Sequence, residues 1–142
     1  MSREAPTPGP KFIFGTVIHR VRDLKLALEW YEEKLGLLAF DVHDKDPNDT
    51  HALFAIGSTV LELWQARPDE ELRIDGSQGS THIVWLAEDL HAAHRELTER
   101  GADPKPIFEY GPWLQFYLFD PDGNRILVTQ LRGKLPWEEH GH

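Results

Sequence analysis

The 142-residue chain carries 24 acidic side chains against 15 lysines and arginines, a net charge of −9 at neutral pH. A field of that sign repels phosphate backbones and anionic bilayer surfaces, which argues against nucleic acid or membrane as partners. Hydrophobic residues make up 40% and charged residues 27%, the balance of a chain that folds around one core rather than staying disordered. Cysteine is absent, so disulfides, thiolate metal ligands and a cysteine nucleophile drop out, and a cytoplasmic location is expected.

In chain order, residues 1–11 contain Pro6, Pro8 and Pro10 but no apolar stretch, and read as a flexible arm rather than a signal peptide. No run of about 18 apolar residues, the length needed to span a bilayer, occurs anywhere. A single domain is expected over 12–131, with a first module at 12–66. Its opening strand runs to Asp23-Leu24, after which Leu24, Ala27, Leu28, Tyr31 and Leu35 recur at helical spacing. Asp23 suits the N-cap, and Gly36 can take the left-handed conformation that ends a helix. Strands are expected at 37–44, 51–56 and 59–65, separated by Asp46-Pro47-Asn48-Asp49 and Ile56-Gly57-Ser58. Residues 67–80 are polar and end in Gly76-Ser77-Gln78-Gly79, a linker by composition.

A second module follows at 81–131, and it repeats the first. Residues 82–90 align with 16–24, placing Asp89 on Asp23 at an offset of about 66, the kind of repeat that fixes architecture. Leu90, Ala93 and Leu97 form the second helical stripe and Gly101 its stop. Further strands are expected at 103–109, 113–119 and 125–131, with turns at Gly111-Pro112 and Asp120-Pro121-Asp122-Gly123-Asn124. Residues 132–142 form a polar tail. Each half reads βαβββ, which makes the chain α+β.

The ordered motifs Val21-Arg22-Asp23-Leu24, Trp30-Tyr31, Leu35-Gly36-Leu37, Glu88-Asp89-Leu90, Gly101 and Phe119-Asp120-Pro121-Asp122-Gly123-Asn124 resemble the vicinal oxygen chelate superfamily. That group contains glyoxalase I, bleomycin-resistance proteins, fosfomycin-resistance enzymes and extradiol dioxygenases. The resemblance implies two βαβββ modules whose curved mixed sheets form a ligand cup, commonly in a homodimer whose subunits share each cup. It also implies four metal-ligand positions, which fall on Thr16, Glu62, His82 and Leu127. Glu62 and His82 are suitable donors, whereas threonine and leucine stand where a histidine and a carboxylate would be. A catalytic divalent site needs roughly three protein ligands and an open position. The expected metal site is therefore incomplete and no cofactor is expected, a divalent ion held by Glu62 and His82 being the alternative.

Alternation along the strands puts Trp64 on the face of Glu62. It also puts Trp113, Gln115 and Tyr117 on one face, opposite Leu114, Phe116 and Leu118. The first set reads as the ligand-binding wall, aromatic surface burying a planar or apolar compound while Gln115, Tyr117 and Glu62 orient it. Thr16 and Leu127 join this lining by family position. The competing reading makes the tryptophans plain core and His82 structural. Glu62 is also the candidate general base, its pKa raised by burial. His19 points to the helices and is structural; His43, His51, His91 and His94 are expected to be solvated.

The expected function is a small-molecule binding protein of the glyoxalase/bleomycin-resistance type, sequestering a hydrophobic or aromatic compound. The alternative is a glyoxalase-like lyase or isomerase, or a dioxygenase-related enzyme, using an altered metal site or Glu62 as base. A third reading has the cup filled by its own side chains, with the domain acting through dimer contacts.

Overall fold

The computed structural model describes residues 15–72 and 83–132. The first module comprises β1 (Thr16–Val21), α1 (Leu24–Leu35), β2 (Ala39–His43), β3 (His51–Ile56) and β4 (Thr59–Gln65). The second comprises β5 (Ile83–Leu86), α2 (Leu90–Arg100), β6 (Phe108–Tyr110), β7 (Trp113–Phe119) and β8 (Arg125–Leu131). Each module folds its strands into a four-stranded sheet, ordered β1-β4-β3-β2 and β5-β8-β7-β6. β1 runs parallel to β4 and β5 to β8; the other pairs are antiparallel. This is the expected α+β arrangement of two βαβββ units, and the two sheets stay separate.

The helix signals work as chemistry predicts. Asp23 accepts from Leu26 N and Asp89 from Ala92 N, satisfying amides that a helix start leaves unpaired. A second cap went unread in the sequence. Gln65 Oε1 accepts from Leu24 N at 2.8 Å, and Gln130 Oε1 from Leu90 N at 2.7 Å. The residue near the end of each module's last strand thus completes the start of that module's helix. At the far ends, Gly36 and Gly101 have φ of 69° and 81°. The helix ends also meet: Arg100 donates to Glu33 O, and Lys34 Nζ lies where a Cβ on Gly101 would approach to 3.2 Å. Each carbonyl-rich helix end receives a cation from the other helix, a favourable dipole arrangement.

One hydrophobic cluster draws on both modules, including Val21, Tyr31, Phe54 and Leu63 from the first and Leu90, Phe116, Leu118 and Ile126 from the second. Polar contacts join the same seam. The Tyr31 hydroxyl donates to Asp120 Oδ2 at 2.8 Å, and His19 Nδ1 lies 3.4 Å from that hydroxyl. Asn124 Nδ2 donates to Arg20 O, and Arg22 donates from both its backbone N and its guanidinium to Asp122 Oδ1. The turn expected at Asp120-Pro121-Asp122-Gly123-Asn124 is also the latch between modules.

Two strands are shorter than expected. β2 starts at Ala39 rather than 37 because Leu37 N is committed to Tyr31 O in the helix-ending turn. The strand expected at 103–109 is reduced to Phe108–Tyr110. Pro104 and Pro106 have no N–H to give a ladder, and Asp103 sits at φ 57°; Lys105 N alone reaches β7, at Tyr117 O. At its start the expected linker is tied down, since Glu70 pairs with Arg20 and accepts from Arg67 N. The expected arm at 1–11, the rest of the linker, His82 and the tail with Trp137, His140 and His142 lie outside the described residues.

Candidate functional site

Each sheet has one face against the core and one turned away from the helices. On the first, Val17, His19 and Val21 of β1 turn inward, so Thr16, Ile18 and Arg20 share the helix-free face. Strand register extends that face across the sheet. Ile18 pairs with Glu62 and Arg20 with Trp64; Leu53 pairs with Glu62 and His51 with Trp64; Asp41 pairs with Leu53 and His43 with His51. On the second sheet Phe116 and Leu118 are fully buried. Trp113, Gln115 and Tyr117 therefore take the helix-free face with Leu127 and Thr129, which register opposite Tyr117 and Gln115.

Thr16, Glu62 and Trp64 form one hydrogen-bonded group. The Thr16 hydroxyl donates to Glu62 Oε2, and the Trp64 indole N–H donates to Glu62 Oε1 at 2.9 Å. These two bonds hold the Glu62 carboxyl below its ordinary pKa against the opposing effect of burial, with a lesser electrostatic contribution from His51. The expectation that burial raises it is overturned: the group is too exposed for desolvation to win. A carboxylate stabilised in this way is a weaker base and a better fixed anion.

A row of rings runs outward from this group. His51 stacks on Trp64 with centroids 4.0 Å apart and planes 8° from parallel, and His43 stacks on His51 at 4.5 Å and 11°. Each imidazole has a carboxylate nearby, Asp41 at 3.0 Å from His43 and Asp49 at 3.0 Å from His51. His51, 13% exposed at its side chain, is thus packed on Trp64 rather than solvated, whereas His43, at 49%, is the solvated strand end expected. Cross-strand register puts His51 beside Trp64, and only knowledge of the pairing could have revealed it. His94 also departs from expectation, donating to Lys105 O and packing edge-on to Phe116. His19 is buried as expected, and burial lowers its pKa while the Asp120 charge partly restores it.

The second sheet carries a parallel arrangement. Phe108 stacks on Tyr117 at 5.6 Å, and the Arg125 guanidinium lies 4.9 Å over the same tyrosine ring. Gln115 Nε2 donates to Thr129 Oγ1 at 3.2 Å. Trp113 is part-buried on this face, and Leu127 is 8% exposed and stands outside the core cluster.

Among the described residues, which do not include His82, the donor set does not fit a resident divalent ion. Leu127 offers no lone pair, the Thr16 hydroxyl is committed to Glu62, and no cluster of three histidine or carboxylate ligands exists among the described residues. On the core side of the first sheet a separate cleft of about 350 Å³ opens between α1 and β2, lined by Leu24, Leu28, Val42, Lys45 and Thr50 among others. No helix among the described residues is long and apolar enough to cross a membrane.

The sequence pattern of the family described as Glyoxalase/Bleomycin resistance protein/Dioxygenase superfamily matches residues 13–128. Among curated proteins none matches the chain. Solved structures share the fold. A glyoxylase/bleomycin resistance protein/dioxygenase domain from Frankia sp. EAN1pec is 19% identical over 87% of this chain and 100% of its own, with a TM-score of 0.70. A superfamily member from Sphaerobacter thermophilus DSM 20745 is 27% identical over 83% and 98%, with a TM-score of 0.67. The genomically encoded fosfomycin resistance protein FosX from Listeria monocytogenes is 13% identical over 89% and 97%, with a TM-score of 0.65.

Proposed function

We propose, because the chain belongs to the glyoxalase/bleomycin resistance protein/dioxygenase superfamily, that it is a cytoplasmic homodimer that binds and sequesters a small hydrophobic or aromatic compound. The observation that carries this reading is the composition of the helix-free faces. Stacked rings stand on both sheets, beside a few fixed polar groups: Glu62 and Thr16 on one, Gln115 and Thr129 on the other. Flat apolar surface with sparse, oriented hydrogen-bonding groups is what a small-molecule site requires.

Several apolar side chains on these faces remain uncovered. Ile18 is 53% exposed, Val84 51% and Leu86 73%. Their exposure argues against a cup filled by its own side chains. It supports a second copy closing over the face, with the ligand held between Trp64 on one wall and Trp113, Gln115, Tyr117 and Leu127 on the other. A role for Glu62 as general base is less favoured than a binding role, because its two neutral donors stabilise the charged form and so lower its basicity.

The test is tryptophan emission of the full chain titrated against a panel of planar aromatic compounds, with sedimentation in parallel. A saturable change in emission that is mostly lost in Trp64→Phe, on a dimeric protein, is the expected result. Emission unmoved by every compound, from a protein that sediments as a monomer, overturns the reading.

A further inference from the structure

The charged groups on the helix-free face of the first sheet differ in what partners them. Arg20 pairs with Glu70, Asp41 lies 3.0 Å from His43, and His51 lies 3.0 Å from Asp49. Glu62 differs, since both its hydrogen bonds come from neutral groups, the Thr16 hydroxyl and the Trp64 indole. Among the described residues no lysine or arginine pairs with it. Neutral donors stabilise a carboxylate without cancelling its charge, and a carboxylate with about four lone-pair sites keeps acceptor capacity after two bonds. An anion arriving beside Trp64 meets that charge, offset by His51 alone, at short range; a cation is drawn to it.

The surroundings suit a cation as well. The Trp64 ring adjoins the carboxylate, its indole N–H donating to Glu62 Oε1. On the second sheet Arg125 rests over Tyr117 at 4.9 Å, so that face already accommodates a guanidinium on an aromatic ring. The chain's net charge of −9 raises the local concentration of cations in general.

We infer that the compound bound here is an organic cation, an aromatic molecule bearing an ammonium or amidinium group whose charged nitrogen meets Glu62 beside Trp64. This deepens the small-molecule reading above and rests on it.

Three matched probes test it by calorimetry on the full chain at low salt: 2-naphthylmethylammonium, 2-naphthylmethanol and 2-naphthoate. The ammonium is expected to bind ~10-fold tighter than the alcohol, because its full charge attracts the carboxylate in addition to the hydrogen bond that both can donate, with the carboxylate weakest. Glu62→Gln keeps an acceptor for Trp64, and it should erase the preference for the ammonium over the alcohol. Equal binding of all three probes overturns the charge assignment and leaves the small-molecule reading standing. Binding of none overturns both. Zinc titrated alone forms a separate arm: stoichiometric binding that Glu62→Gln abolishes would make a metal the partner of this carboxylate and end the proposal.

Discussion

Replacing Tyr31 with phenylalanine removes one hydroxyl from the seam between the modules and leaves the ring in place. That hydroxyl belongs to a fully buried residue and donates at 2.8 Å to Asp120, itself 4% exposed. Burial, with Asp120 beside it, pushes the Tyr31 pKa well up, so the group stays protonated and remains a donor. A hydrogen bond to a charged acceptor contributes roughly 1.5–3 kcal/mol, and no large cavity follows the loss of an oxygen. Asp120 keeps three other donors, Asp122 N at 2.9 Å, Asn124 N at 2.8 Å and Asn124 Nδ2 at 2.9 Å. These soften the loss and place the expected cost near the lower half of the range, about 2 kcal/mol. At this chain length that corresponds to a melting point lower by about 6 °C.

Urea titration followed by both far-ultraviolet dichroism and tryptophan emission measures the cost directly. Combining Tyr31→Phe with Asp120→Asn in a double-mutant cycle should give a coupling of about 1 kcal/mol or more. A Tyr31→Phe cost within about 0.5 kcal/mol, the range of ordinary surface substitutions, would refute the idea that this bond helps hold the modules together. So would simple additivity with Asp120→Asn.

Three further expectations follow from the same contacts. Gly36→Ala puts a Cβ 2.9 Å from the Arg100 guanidinium at a residue with φ of 69°; a cost of about 1–2 kcal/mol is expected from backbone strain alone, and an unchanged urea midpoint would contradict it. Gln130→Met leaves Leu90 N without its side-chain acceptor, so amide exchange in the first turn of α2 should quicken several-fold, a change of about 1 kcal/mol, while exchange in α1 stays as it was. For His19 the folded pKa lies below the ordinary value of 6.5, mainly through burial. The unfolded chain therefore takes up the proton first, and stability, complete above that value, declines as pH falls through 6.5 toward the folded pKa. Urea midpoints at about pH 7.5 and about pH 5.5 should show this decline, and it should be smaller in His19→Gln; an equal decline in both proteins would assign the effect to other groups.

The sequence by itself determined those features whose physics is local. Asp23 and Asp89 cap helices because an aspartate accepts from an amide three residues along the chain, and Gly36 and Gly101 end them because a left-handed turn disfavours a Cβ. Alternation alone divided Trp113, Gln115 and Tyr117 from Phe116 and Leu118, since successive strand residues must point to opposite faces. The duplicated module was legible for the same reason: it repeats local signals in the same order. Where local propensity and pairing disagreed, as at Pro104 and Pro106 before β6, the missing N–H groups prevailed over the expected strand.

Only the tertiary structure decided which side chains meet. Tyr31 and Asp120 are 89 residues apart, and Arg22 and Asp122 are 100 apart, distances across which no sequence period carries information. The row from Trp64 through His51 to His43 depends on the register of three strands, and a slip of one residue would turn every member to the opposite face. Glu62 shows the division most plainly: its residue type and strand face could be read from the chain, but the lowering of its pKa depends on two donors that folding delivers, one from the neighbouring strand and one from a ring on its own strand whose orientation the packing sets.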